Sequence, residues 1–139
     1  ISCANKVAMS LSDLFCVERH KDDFLELVKK KIDIVFANEQ EILSLLNTKS
    51  FDDVISFSKD LKKNIIITRG EKGAISINHE EVFECPAKKN INVIDLTGAG
   101  DLFAAGYLHG ILNKMNIKDS LINGTELSSK IIQKIGARI

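Results

Sequence analysis

The stretch Asp95-Leu96-Thr97-Gly98-Ala99-Gly100-Asp101 holds the residue types best suited to chemistry in this chain. Three small residues in a row let backbone N–H groups approach an anion without side-chain obstruction. An apolar helix opens behind them, through Leu102, Phe103, Ala104, Ala105, Tyr107 and Leu108. Its start adds the positive end of the helix dipole, so Gly98, Ala99 and Gly100 can form an anion hole for a phosphate. Asp101 carries the wrong charge for a phosphate binder. Its natural role is to accept the proton of an attacking hydroxyl while amides and a metal ion carry the phosphoryl charge. A plain helix start accounts for the same residues, since Asp is favoured in the first turn and glycine is common just before it. Two other phosphate motifs are excluded. A dinucleotide fingerprint starting at Gly98 needs glycine where Phe103 stands, and Gly70 and Gly73 are too close, with Ala74 following, for a Gly-x-x-x-x-Gly-Lys loop.

Such a turn needs a sheet and helices to hold it. Lys6–Leu11 alternates as a strand, with Val7, Met9 and Leu11 on one face, and Ser12-Asp13 ends it. His20–Lys31 reads as a helix, with Asp22 and Asp23 in its first turn and Lys29, Lys30 and Lys31 in its last. Ile32–Ala37 and Ile65–Thr68 are short apolar runs of buried-strand type. Between them, helices are expected through Ile42–Leu46 and Phe51–Lys62. The segment Arg69–Gly73 is a turn, Ala74–Asn78 alternates, His79-Glu80 turns the chain, and Pro86 stops a strand through Val82 and Phe83. Val93-Ile94 is expected as the strand that leads into the glycine turn. Helices follow over Ala99–Asn113 and Asp119–Lys134. Strands alternating with helices predict an α/β fold with a largely parallel sheet, to which the central hairpin adds antiparallel strands.

Composition narrows the class. The 139 residues are 45% apolar and 27% charged, with 19 basic and 19 acidic side chains. That excludes disorder by composition and gives no basic footprint for nucleic acid. No apolar run approaches the ~20 residues of a membrane-spanning helix. Cys3, Cys16 and Cys85 form no close pair, which fits reduced thiols and a cytoplasmic location rather than zinc or a disulfide frame. His20, His79 and His109 are scattered. The sequon Asn123-Gly124-Thr125 has no secretory context.

The segment Asp95–Gly106 resembles the carboxy-terminal motif of the ribokinase-like, or PfkB, family of carbohydrate and nucleoside kinases. Three further stretches agree, in the family's order. Asn38-Glu39-Gln40-Glu41 resembles its Asn-x-x-Glu motif, Thr68–Ala74 its nucleotide-site turn, and Gly136-Ala137 its closing glycine element. The resemblance implies a three-layer α/β/α sandwich and transfer of the γ-phosphoryl group of ATP to a hydroxymethyl group. By similarity, Asp101 is the general base, and Gly98, Ala99 and Gly100 hold the transferring phosphoryl group. Thr68, Gly70, Gly73 and Asn38 lie beside ATP, and Glu41 organises Mg2+ through water. Asp95 and Thr97 match positions that in some relatives bind a monovalent cation such as K+. On the residues alone, Asn38 and Glu41 read first as a variant capping box. Asp95 reads equally as a brace for its turn.

Ser10–Asp13, Phe15–His20 and Ile135–Arg138 look most like bacterial members of the adenosine-kinase-like branch. The implied partners are ATP and a small sugar or nucleoside, with a homodimer as an open alternative and no nucleic acid or membrane. The family's amino-terminal glycine motif, lid strands and acidic sugar-binding residue have no counterpart here. Residues 1–139, starting at Ile1 with the approach to a strand, are therefore expected to be the carboxy-terminal portion of such a kinase. That portion would hold the ATP site and base, and would be inactive alone. It would also leave one apolar sheet edge without its partner. Two other classes compete: a non-catalytic nucleotide-sensing module, which would need the amides but not Asp101, and a flavodoxin-like or oxidoreductase domain.

Overall fold

In the computed structural model, which describes residues 3–138, strand β1 (Ala8–Ser10) pairs in parallel with β2 (Ile34–Asn38). Strand β2 pairs in parallel with β3 (Asn64–Thr68). The register sets Ser10 opposite Phe36 and Asn38 opposite Thr68. The crossovers are helical: α1 (Leu14–Arg19) and α2 (Lys21–Lys30) lead from β1 to β2. Helices α3 (Glu39–Leu46) and α4 (Phe51–Leu61) lead from β2 to β3. Helices α1–α4 pack on one another, as two successive right-handed crossovers in one direction would require. Ile34–Ala37 and Ile65–Ile67 are buried in unbroken runs, as strands covered on both faces must be. Each aliphatic side chain fully buried there contributes about 1.5–3 kcal/mol.

Short turns then reverse the chain. A five-residue connection with a 3-10 turn over Gly70–Lys72 leads to β4 (Ala74–Ile77), and a second turn leads to β5 (Val82–Cys85). The strand order is β1-β2-β3-β4-β5. Connections this short allow only antiparallel neighbours, so the sheet is mixed, as the hairpin pattern predicts. Asn78 makes the second turn: its Oδ1 accepts the N–H groups of Glu80 and Glu81 at 2.9 and 2.7 Å. Helices α5 (Ala99–Leu112) and α6 (Ile117–Ile131) pack closely, with backbone against backbone. A Cβ on Gly106 would meet the Asn123 carbonyl oxygen at 2.8 Å.

The chain divides into two compact units. One runs to Thr68 and includes Ser76–Val82; the other is Arg69–Ile75 with the chain from Phe83 on.

Four expectations change. The helix expected over His20–Lys31 is preceded by α1, which Asp13 caps by accepting the Cys16 N–H at 2.8 Å. The last helix starts at Ile117, because Asn116 caps it by accepting the Asp119 N–H. Val93-Ile94, expected as a strand, form none. The amides of Ile94 and Asp95 bond instead to the Ile132 carbonyl, at 2.7 and 3.2 Å. The sheet edge at β1 is not an apolar strip: it is three residues long, with Ala8 and Ser10 exposed. Large apolar residues are exposed elsewhere: Phe15, Leu112 and Ile135 are 80–87% accessible, and Val93, Ile94 and Leu96 are 52–67% accessible. Ile1 and Ser2, read as the approach to β1, lie outside the described residues. No helix among the described residues is long and apolar enough to cross a membrane.

Candidate active site

The motif residues fall into three groups. The first stands at the carboxyl ends of β2 and β3, where open α/β sheets place their ligands. Asn38 ends β2, next to Thr68 at the end of β3. Asn38 also caps α3 in a complete capping box. Its Oδ1 accepts the Glu41 N–H at 2.8 Å, and Glu41 Oε2 accepts the Asn38 N–H at 2.9 Å. Asn38 Nδ2 donates to Glu41 Oε1 at 2.7 Å. The capping reading of this pair is therefore correct as structure. Glu41 is only 5% exposed, and burial pushes its carboxyl above the ordinary range. The Asn38 N–H opposes that shift and the Asp13 carboxylate adds to it. A carboxylate fixed by two Asn38 donors keeps lone pairs free for water, which suits outer-sphere contact with Mg2+. Among the described residues no cluster of three His, Cys, Asp or Glu could hold a metal directly. A magnesium ion here would rest on water and phosphate.

The second group is the turn between β3 and β4. Gly70 has φ +57°, and nothing lies within 4 Å of where its Cβ would be. Gly73 has φ +93°, and a Cβ there would sit 2.0 Å from the Cys85 carbonyl oxygen. Gly73 is thus required by the fold: it lets β5 and Pro86 approach. The Arg69 N–H closes the turn on the Gly73 carbonyl at 2.7 Å.

The third group is the glycine turn. Gly98 caps α5 with φ +77° and offers no side-chain cap. The Ala99 N–H turns back to the Leu96 carbonyl and the Leu102 N–H to that of Gly98. The amides of Gly100 and Asp101, between them in the first turn, bond to no carbonyl outside the helix, as first-turn amides commonly do. No Cβ contact crowds Gly100, and Asp101 is exposed on the same turn. Asp95 braces the loop. Its Oδ1 accepts the Thr97 N–H at 2.9 Å and the Thr97 hydroxyl at 2.7 Å, and its Oδ2 accepts the Gly136 N–H at 2.9 Å. The Thr97 hydroxyl, then the Gly136 and Thr97 amides, hold the Asp95 carboxyl below its ordinary range.

Ser10–Asp13 and Gly136-Ala137 carry part of the resemblance, but the sequence assigns no site role to Asp13 or Ala137. Asp13 was legible as a helix cap, though α1 is too short for a clear apolar stripe. Ala137 backs onto Gly98, its Cβ 2.9 Å from where a Gly98 Cβ would stand, a contact no local pattern encodes.

Residues 2–139 match the model of the pfkB family carbohydrate kinases. The adenosine kinase structure from Sinorhizobium meliloti is 37% identical, with a TM-score of 0.93 over 96% of this chain and 41% of its own. A probable sugar kinase from Rhizobium etli CFN 42 is 39% identical, with a TM-score of 0.90 over the same shares. The cytidine kinase of Thermococcus kodakarensis is 31% identical over 117 residues, 82% of this chain and 42% of its own length. The chain therefore spans less than half the length of these relatives. Its mixed sheet and helices form the ribokinase-like α/β fold that the motifs imply. On its motifs, its fold and the family match over nearly every residue, the chain belongs to the pfkB family of carbohydrate kinases.

Proposed function

We propose that the protein to which these residues belong transfers the γ-phosphoryl group of ATP to a hydroxymethyl group of a sugar or nucleoside, with adenosine as the first acceptor to test. The observation that carries this reading is the glycine turn, whose first-turn amides lack intrahelical partners and stand beside an exposed Asp101. Likeness to the Sinorhizobium meliloti adenosine kinase supports the choice of acceptor.

In this mechanism the Asp101 carboxylate accepts the proton of the attacking alcohol, and the amides of Gly100 and Asp101 receive the charge on the moving phosphoryl oxygens, while the Ala99 amide, bonded to the Leu96 carbonyl, holds the Gly98-Ala99-Gly100 turn in shape. Thr68, Gly70, Gly73 and Asn38 bind ATP. Glu41 orders water around Mg2+, which when bound offsets phosphate charge. Asp95 and Thr97 hold the anion turn in shape. A monovalent cation such as K+ would find Asp95 already bonded to three donors, and titrating K+ against turnover tests that role. The protein acts as a cytoplasmic enzyme on small molecules. Its test is a panel of sugars and nucleosides with Mg-ATP and the full-length protein, read as ADP release. Turnover with at least one acceptor is expected. ATP binding without turnover on any acceptor would favour a nucleotide sensor instead.

A further inference from the structure

The glycine turn as described has amides but no basic side chain. Phosphoryl transfer sites usually add an Arg or Lys to share the charge on the moving group. In the same unit, the segment following α6 is tied to this turn twice. Gly136 donates its N–H to Asp95, and Ala137 packs on Gly98. Arg138 follows directly, and one residue step is about 3.8 Å. Arg138 is exposed and forms no ion pair among the described residues. Two other cations of this unit are engaged elsewhere: Arg69 pairs with Glu84 at 3.8 Å and Lys88 with Glu126 at 3.3 Å. Of the two carboxylates on the turn, Asp95 is taken up by Thr97 and Gly136.

We propose that Arg138 is the side-chain cation of the phosphoryl site, contacting the γ-phosphoryl oxygens of bound ATP through its guanidinium. This rests on the kinase reading above. A guanidinium presents two parallel N–H groups to a phosphate, which a lysine cannot do. Asp95 then gains a second role, since by holding Gly136 it sets where Arg138 starts.

The test uses the full-length protein and its Arg138→Gln and Arg138→Lys variants. Calorimetry gives the Kd of the β,γ-imido analogue of ATP and of ADP, and kcat is measured on the same samples. Arg138→Gln should weaken the imido analogue about tenfold and lower kcat about 10–100-fold. ADP affinity should stay within about twofold, because ADP lacks the contacted group. Arg138→Lys should recover part of both losses. Unchanged binding of the imido analogue, or an equal loss for it and ADP, would overturn the proposal. Melting temperatures separate a folding defect from a lost contact, and Arg138→Lys serves if Arg138→Gln folds poorly. Asp101→Asn is the control. If it abolishes turnover while Arg138→Gln does not alter it, the role of Arg138 alone is refuted. If Asp101→Asn remains fully active, the kinase reading falls and this proposal with it.

Discussion

Asp95 shows how one side chain braces the glycine turn from both of its ends. Its carboxylate gathers the Thr97 hydroxyl and two amides, one of them 41 residues away at Gly136. Those donors favour the charged form, so its carboxyl titrates below the ordinary value of 3.8. A lowered folded pKa stabilises the fold above the ordinary value, and the gain is lost as the pH falls through the folded one. Asp95→Ala in the full-length protein should therefore melt at a lower temperature than the parent at pH 7. The gap should narrow as the pH drops below about 4, and a constant gap across the acid range would contradict the assignment. The brace was legible in the Asp-x-Thr spacing, which is a familiar turn device. Its Gly136 end was not, because a long-range backbone donor leaves no local pattern.

Among the elements, glycines that look alike in sequence separate by function. Gly73 combines φ +93° with a backbone approach that any Cβ would block. Gly73→Ala should cost at least about 2 kcal/mol, measured by urea denaturation, through strain and overpacking together. Gly100 sits inside α5 with open space around it. Gly100→Ala should leave stability unchanged or raise it by about 0.5–1 kcal/mol, since alanine is the better helix former. The same change should reduce turnover, because a methyl group then stands beside the anion turn. A variant both more stable and fully active would show that the turn does not receive phosphate.

The elements legible in sequence were those with strong local signals. The Ile65–Ile67 run, the Asn38–Glu41 box and the Asn78 turn are written in neighbouring residues. The Val93-Ile94 strand was misread because β-branched residues favour a ladder but cannot supply its other side. Helix α1 was missed because six residues show too little of a 3.6-residue period.

At the scale of the molecule, the chain covers 41% of the Sinorhizobium meliloti and Rhizobium etli structures. The proposed base and anion turn lie within the described residues, but an acceptor site built largely from the rest of such a fold would not. Residues 1–139 expressed alone should give little or no phosphorylation of any sugar or nucleoside. Robust turnover by this piece would mean that the acceptor site is contained in it. The neutral net charge is compatible with the proposed phosphate site, since one built mainly from backbone dipoles needs no excess of Lys or Arg.

The most direct measurement of the central claim is kcat and ATP affinity for Asp101→Asn in the full-length protein. The variant should bind ATP as the parent does, because the amides are intact. Its kcat should fall by about 10²–10⁴, the usual worth of a positioned general base. An Asp101→Asn enzyme with parental kcat would contradict the account, because the exposed carboxylate on the glycine turn would then have no part in the chemistry.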